Sequence, residues 1–257
     1  MGWSGVLLAI GGHAAYASAH AVVMCVVFWA AQSRGRAARM IADLAPLVSM
    51  PLLYGELPML MAALGSTYHD AVVQHLELRM FGEQVSRTFA GAHRALFLSE
   101  LLHAGYLAYY PAVFAPALVL YARGERRGFA QTVLTLTVTY AICWVIFALF
   151  PVEGPRYVWG APLGVPNGPV RRFALAVLAS GSSRGAAFPS SHMAISVAQA
   201  VIAWRWHPKA GAVLGVIALL VGLGAVYGGF HYGADMVTGA MLGLVIAVAI
   251  AWRTARA

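Results

Sequence analysis

The chain of 257 residues is 61% hydrophobic and 10% charged, with a formal net charge of +8 and a mean hydropathy of +0.74. A soluble domain carries about a quarter charged residues, so the composition excludes one and points to an all-α, polytopic membrane helix bundle, read as a single integral membrane domain over 1–257. The positive charge does not signal nucleic acid, because the basic residues sit in short loops between apolar segments, with no basic stripe interleaved with aromatics.

The shortage of charge is uneven. No Asp, Glu, Lys or Arg occurs before Arg34, between Arg127 and Glu153, between Arg184 and Arg205, between Lys209 and Asp235, or between Asp235 and Arg253. A spanning helix needs about 20 mostly apolar residues, and six to seven transmembrane helices are expected, near 5–32, 40–64, 96–122, 129–150, 189–206, 210–229 and 231–252. The first has no basic leader and is too long for a signal-peptide core, so it reads as a retained span. The second holds Asp43, Glu56 and the prolines Pro46, Pro51 and Pro58, which predicts a kinked or re-entrant segment. Within 66–95, the apolar residues Val72, Val73, Leu76 and Met80 recur at helical spacing, predicting an amphipathic helix in the interface. Cys25 and Cys143 fall inside spans and read as apolar packing residues. Trp159, Trp204, Trp206 and Trp252 fall near span ends and read as interfacial anchors.

Basic residues set the orientation. Arg34, Arg36 and Arg39, then Arg123, Arg126 and Arg127, then Arg205 and Lys209, and finally Arg253 and Arg256 follow alternate spans, so seven spans place all of them on one side, with the N-terminus outside. The segment 151–188 then lies outside, rich in Pro, Gly and Ser and carrying Arg156, Arg171, Arg172 and Arg184.

Three motifs fall at one membrane depth, within an expected catalytic core of about 129–252. Pro151-Val-Glu-Gly-Pro-Arg156-Tyr157 follows the fourth span, Phe188-Pro-Ser-Ser-His192 opens the fifth, and His231-Tyr-Gly-Ala-Asp235 opens the seventh. Pro and Ser are helix-start residues, and a helix start offers unpaired N–H groups and a positive dipole end that bind phosphate; an incidental cap followed by a histidine is the plainer alternative. His231 and Asp235 are four apart and share a helix face, where a carboxylate fixes the imidazole tautomer. Phosphoryl transfer needs a nucleophile, an acid for the leaving oxygen and cations for the non-bridging oxygens. His231 with Asp235 suits the first, His192 the second, and Arg156, Ser190 and Ser191 the third. No cluster of Asp or Glu offers a magnesium site, so the chemistry reads as free of metal and cofactor.

These residues resemble the type-2 phosphatidic acid phosphatase superfamily, which carries a basic first motif, a Pro-Ser-Gly-His-like second and a third ending His-x-x-x-Asp. The resemblance covers about 151–250 and, more loosely, the preceding region. It implies a phosphohistidine on His231, with His192 as acid and Asp235 in support. It also implies a lipid phosphate or polyprenyl (pyro)phosphate substrate in the bilayer of a bacterial-type plasma membrane, with the site facing outward. The stretch Glu100-Leu-Leu-His103-Ala-Gly-Tyr106-Leu-Ala-Tyr109-Tyr110 looks like the inositol phosphorylceramide synthase (inositolphosphotransferase) branch, which makes Glu100, His103 and Tyr110 candidate cavity residues. Two departures stand out. Gly224 and Ala225 occupy the positions of a third-motif Ser-Arg, and the first motif keeps only Arg156, so Arg171, Arg172 or Arg184 are candidates to supply the missing cation.

Hydrolysis and transfer share one covalent intermediate, and both stay open. Competing readings are a serine protease dyad of Ser190 or Ser191 with His231, a zinc site on His192, His231 and Asp235, and a transporter or binding protein without turnover. His13, His20, His69, His75, His93 and His207 read as structural or interfacial.

Overall fold

The computed structural model describes residues 18–19, 21–30, 32–33, 35–64, 67–162 and 164–255. The first half of the expected first span, with His13 and His20, and also Arg34 and Arg256, lie outside the described residues. The elements in order are α1 (Ala21–Ala30), α2 (Arg36–Leu64), α3 (Asp70–Phe81), α4 (Val85–Ala92), α5 (Leu96–Leu107), α6 (Tyr109–Ala122), α7 (Arg126–Leu149), α8 (Pro155–Val158), α9 (Pro169–Gly181), α10 (Ser191–Trp206), α11 (Pro208–Tyr227) and α12 (Gly233–Ala255). Among the described residues the only β pairing is an isolated bridge between Val152 and Ala186.

Five stretches among the described residues are long and apolar enough to cross a bilayer: Arg36–Met61, Leu96–Ala122, Arg126–Leu149, Pro208–Tyr227 and Gly233–Thr254. Leu134, Val145, Val213, Val216, Leu244 and Val248 are exposed on the outward faces of α7, α11 and α12, as befits helices covered by lipid. The chain is an integral membrane protein. The second expected span, read as kinked or re-entrant, is α2, a helix continuous through Pro46, Pro51 and Pro58. By contrast, α10 has 16 residues, about 24 Å at the helical rise, short of the roughly 30 Å hydrocarbon core. It is enclosed by α7, α11 and α12 and buries Ala194, Ile195, Ala198 and Ile202, so its length is set by protein neighbours.

Small residues let the central helices touch backbone to backbone. A Cβ at Gly239 would stand 2.4 Å from the Ser190 carbonyl oxygen, and one at Gly243 would stand 2.0 Å from that of Ala194. These two glycines seat the start of α12 against the start of α10.

The expected amphipathic helix is present as α3. Val72 and Met80 are exposed, while Asp70, Val73 and Glu77 are buried. These three positions share one helical face, turned towards the loops that carry the motifs. Trp159, expected as an anchor, instead packs edge-on against the buried Tyr232 at 5.6 Å.

The opposite end of the bundle is tied by polar contacts. Arg126 pairs with Asp43 at 2.9 Å, His207 with Glu125 at 2.7 Å, and Trp206 donates to Gln131 at 2.6 Å. Helix directions therefore put Arg126, Arg205 and Arg253 at the far ends of α7, α10 and α12 from the three motifs.

Candidate active site

The end of α7 and the starts of α10 and α12 meet at one level, and the backbone stitches them together. The Val152 N–H donates to Gly185 O at 3.1 Å, the Ala187 N–H to Val152 O at 3.0 Å, and the Ser190 N–H to Asp235 O at 3.1 Å. Two buried carboxylates from α3 complete the frame. Asp70 accepts the N–H groups of Glu153 and Gly154, each at 2.9 Å, and the Tyr232 hydroxyl at 2.8 Å. Glu77 accepts the Gly233 N–H at 2.7 Å, and the Ser86 N–H and hydroxyl at 3.2 and 3.1 Å. Burial pushes the Glu77 carboxyl up, against the pull of the bonds from Gly233 and Ser86. One short helix thus clamps the first motif to the third.

Within this frame His231 is 6% exposed and Asp235 fully buried. His231 Nδ1 lies 3.1 Å from Ala187 O and 3.3 Å from Asp235 Oδ2. A carbonyl oxygen only accepts, so Nδ1 carries the proton and Nε2 keeps its lone pair. Asp235 Oδ2 also accepts the Tyr232 N–H at 2.8 Å, which fixes the carboxylate. The His192 ring centroid is 5.8 Å from that of His231. Its Nε2 is 3.5 Å from the Tyr106 hydroxyl, and its Nδ1 is buried without a partner.

The two histidines line a narrow chamber of about 30 Å³ with Arg156, Glu153, Tyr54, Tyr106 and Tyr157. One terminal nitrogen of Arg156 is buried there without a partner. Beside the chamber lies a cavity of about 450 Å³, walled by Met50, Val113, Phe114, Leu178 and Ile195 and by the rings of Tyr54, Tyr106, Tyr109, Tyr110 and Tyr140. Tyr54, Tyr106, Leu178, Ser182 and His192 line both.

The other candidate residues separate into two groups. Ser190 caps α10, its hydroxyl accepting the Met193 N–H at 3.3 Å, and it is not hydrogen-bonded to His231, so the protease dyad finds no support in it. Ser191 and Tyr110 line the larger cavity. Arg184 lies at the rim, 56% exposed and paired with Glu153, a bond that holds its guanidinium above the usual range. Arg171, Arg172, Glu100 and His103 line neither space. Glu100 caps α9, accepting the N–H groups of Val170 at 2.9 Å and Arg171 at 3.1 Å. Arg171 and Arg172 both donate to Asn167. His103 lies fully buried behind Phe230, ring centroids 5.8 Å apart. The residues that sequence reasoning left out are Tyr54, Tyr106, Asp70 and Glu77. Tyr106 falls inside the stretch singled out, and the i, i+7 spacing that puts Asp70 and Glu77 on one face of the amphipathic helix was the available signal for the clamp.

Comparison with known proteins shows the family. The family model described as PAP2 superfamily matches residues 73–249. Over 65 residues the chain is 32% identical to the bacitracin transport permease protein BcrC of Bacillus licheniformis, covering 25% of this chain and 32% of that one. Over 103 residues it is 30% identical to a PA-phosphatase related-family protein of Dictyostelium discoideum, covering 38% of this chain and 19% of that one. The chain thus spans about a third and about a fifth of the length of these two relatives. Among solved structures, Aquifex aeolicus LpxE is similar with a TM-score of 0.47 and 16% identity, over 63% of this chain and 90% of that one.

Proposed function

The chain belongs to the PAP2 superfamily, and from that premise we propose that it is a membrane phosphatase or phosphotransferase that takes the phosphoryl group of a lipid-linked phosphate onto His231. The observation that carries this reading is the His231 geometry: Nδ1 is held by Ala187 O and Asp235, Nε2 keeps its lone pair, and His192 and an unpartnered Arg156 nitrogen share the same chamber. In the first step His231 Nε2 forms a bond to phosphorus while the bond from phosphorus to the lipid oxygen breaks. That oxygen takes a proton from His192, and Asp235 stabilises the positive imidazole. In the second step water gives its proton to His192 and attacks phosphorus, releasing phosphate and restoring His231. Arg156 and the first N–H groups of α10 hold the non-bridging oxygens, so no metal is required. Ala225 sits where the resemblance expects an arginine, and in this reading Arg156 supplies that charge.

The apolar, tyrosine-lined cavity beside His192 suits a lipid arm. Its hydroxyls also suit an alcohol acceptor, which favours headgroup transfer, as in the inositolphosphotransferase branch, as the second reading. With the basic ends of α7, α10 and α12 in the cytoplasm, the site faces outward from a bacterial-type plasma membrane.

The test is phosphate release by purified protein in detergent with EDTA, from a panel of lipid phosphates and isoprenyl pyrophosphates. Release that withstands EDTA and is lost in His231→Ala and His192→Ala supports the reading. Release that survives His231→Ala, or that needs an added divalent cation, overturns it. Turnover that appears only with an alcohol acceptor selects transfer.

A further inference from the structure

Tyr106 is one of the largest fully buried side chains of the protein, 1% exposed on α5. Its hydroxyl is 3.5 Å from His192 Nε2, at the outer limit of a hydrogen bond, and such contacts tighten when substrate closes a site. The His192 ring is flanked by three tyrosine rings, Tyr109 at 4.3 Å, Tyr106 at 5.4 Å and Tyr110 at 6.4 Å. A phenol oxygen keeps lone pairs that can accept a hydrogen bond. On the other side of the imidazole, Nδ1 is buried with no partner.

We infer that Tyr106 is a positioning residue for the proton-donating histidine, and that glycine at 224 is what lets it reach. This rests on the reading of His192 as the acid. The phenol oxygen accepts Nε2–H and keeps that proton in place, so Nδ1 is the nitrogen that exchanges. As the bond from phosphorus to the leaving oxygen breaks, the Nδ1 proton passes to that oxygen. When water attacks the phosphohistidine, its proton returns to Nδ1. Tyr106 gains and loses nothing in the cycle.

The helix crossing explains how α5 comes so close. A Cβ at Gly224 would stand 2.1 Å from Leu102 O and 3.1 Å from Tyr106 Cβ, and one at Gly105 would stand 2.7 Å from Leu220 Cβ. Ala225 is fully buried against Tyr106 and Phe230. Side chains as large as Ser-Arg at 224 and 225 have no room while α5 lies here. The space they would need is spent on bringing a phenol to His192.

Leaving-group dependence tests this. An alkyl phosphate needs a proton on its leaving oxygen, whereas p-nitrophenyl phosphate does not. Tyr106→Phe keeps the ring and removes the acceptor. It is expected to lower kcat on the alkyl phosphate about tenfold, within the range that acid catalysis spans, with KM changed by less than about twofold. Its loss on p-nitrophenyl phosphate should be several times smaller, the pattern His192→Ala shows more strongly. Gly224→Ala, which displaces α5, should show the same split. Equal losses on both substrates, a change confined to KM, or a Gly224→Ala protein with the wild-type ratio would overturn the inference. Wild type and His231→Ala releasing phosphate equally would instead defeat the underlying phosphatase reading.

Discussion

The two histidines of the chamber lie 5.8 Å apart, yet each is held from behind by different chemistry. His231 has a buried carboxylate and a carbonyl oxygen at Nδ1, the first fixed by the Tyr232 N–H and the second belonging to Ala187, whose own N–H is tied to Val152. His192 has only the neutral oxygen of Tyr106 at Nε2 and aromatic rings on its sides. A negative partner favours an imidazole that becomes positive as it bonds to phosphorus, whereas a neutral partner leaves an imidazolium readier to give up its proton. Titratable groups whose surroundings differ in this way take different roles in acid–base chemistry, which supports the proposed assignment of nucleophile to His231 and acid to His192.

Substitutions can break this contrast or sharpen it. Removing the nucleophile, His231→Ala, should cost at least about 10⁴-fold in kcat on any phosphate substrate, as expected for a member of a unit that acts together. Asp235→Asn makes both histidines neutral-backed. It should cost about 10²–10⁴-fold in a steady-state assay, by analogy with a carboxylate that orients a catalytic imidazole, while the melting transition stays close to wild type. His192→Ala should cost about 10²–10³-fold on alkyl phosphates and clearly less on p-nitrophenyl phosphate; a loss that ignores the leaving group would erase the distinction between the two rings. Asp70→Ala releases three donors from the first and third motifs and should destabilise the detergent-solubilised protein by about 3 kcal/mol, readable in a thermal scan. Ser190→Ala removes only the cap before His192 and should cost about 1 kcal/mol with a small drop in kcat, leaving His231 untouched.

The three motifs and their common depth were legible because each is a helix end. Cap residues, charge-free windows and four-residue spacing are local signals, and the residues they single out, His192, His231 and Asp235, lie together in the fold. The same signals found α3 but not its inward face. Periodicity grouped Val72 and Met80 on an apolar face, which the fold leaves exposed, whereas the loops above the bundle present N–H groups, and those draw in the carboxylates of Asp70 and Glu77. The stretch from Glu100 to Tyr110 shows the limit in another way. Its composition pointed to the cavity, but the face that enters is Tyr106, Tyr109 and Tyr110, while Glu100 and His103 turn towards α9 and Phe230. Which face of α5 turns inward depends on the Gly105 and Gly224 crossing, a contact between residues far apart in the chain. The shortness of α10 has the same origin, since neighbours rather than lipid enclose it.

The most direct test of the account is to look for the covalent intermediate. The protein, with EDTA present, is mixed with a ³²P-labelled lipid phosphate and quenched in alkali, where phosphohistidine survives, and the labelled peptide is mapped. The account predicts acid-labile, alkali-stable label on His231 in the wild type and none in His231→Ala. Turnover of the same substrate with no label at His231, or with label at another residue, would contradict it.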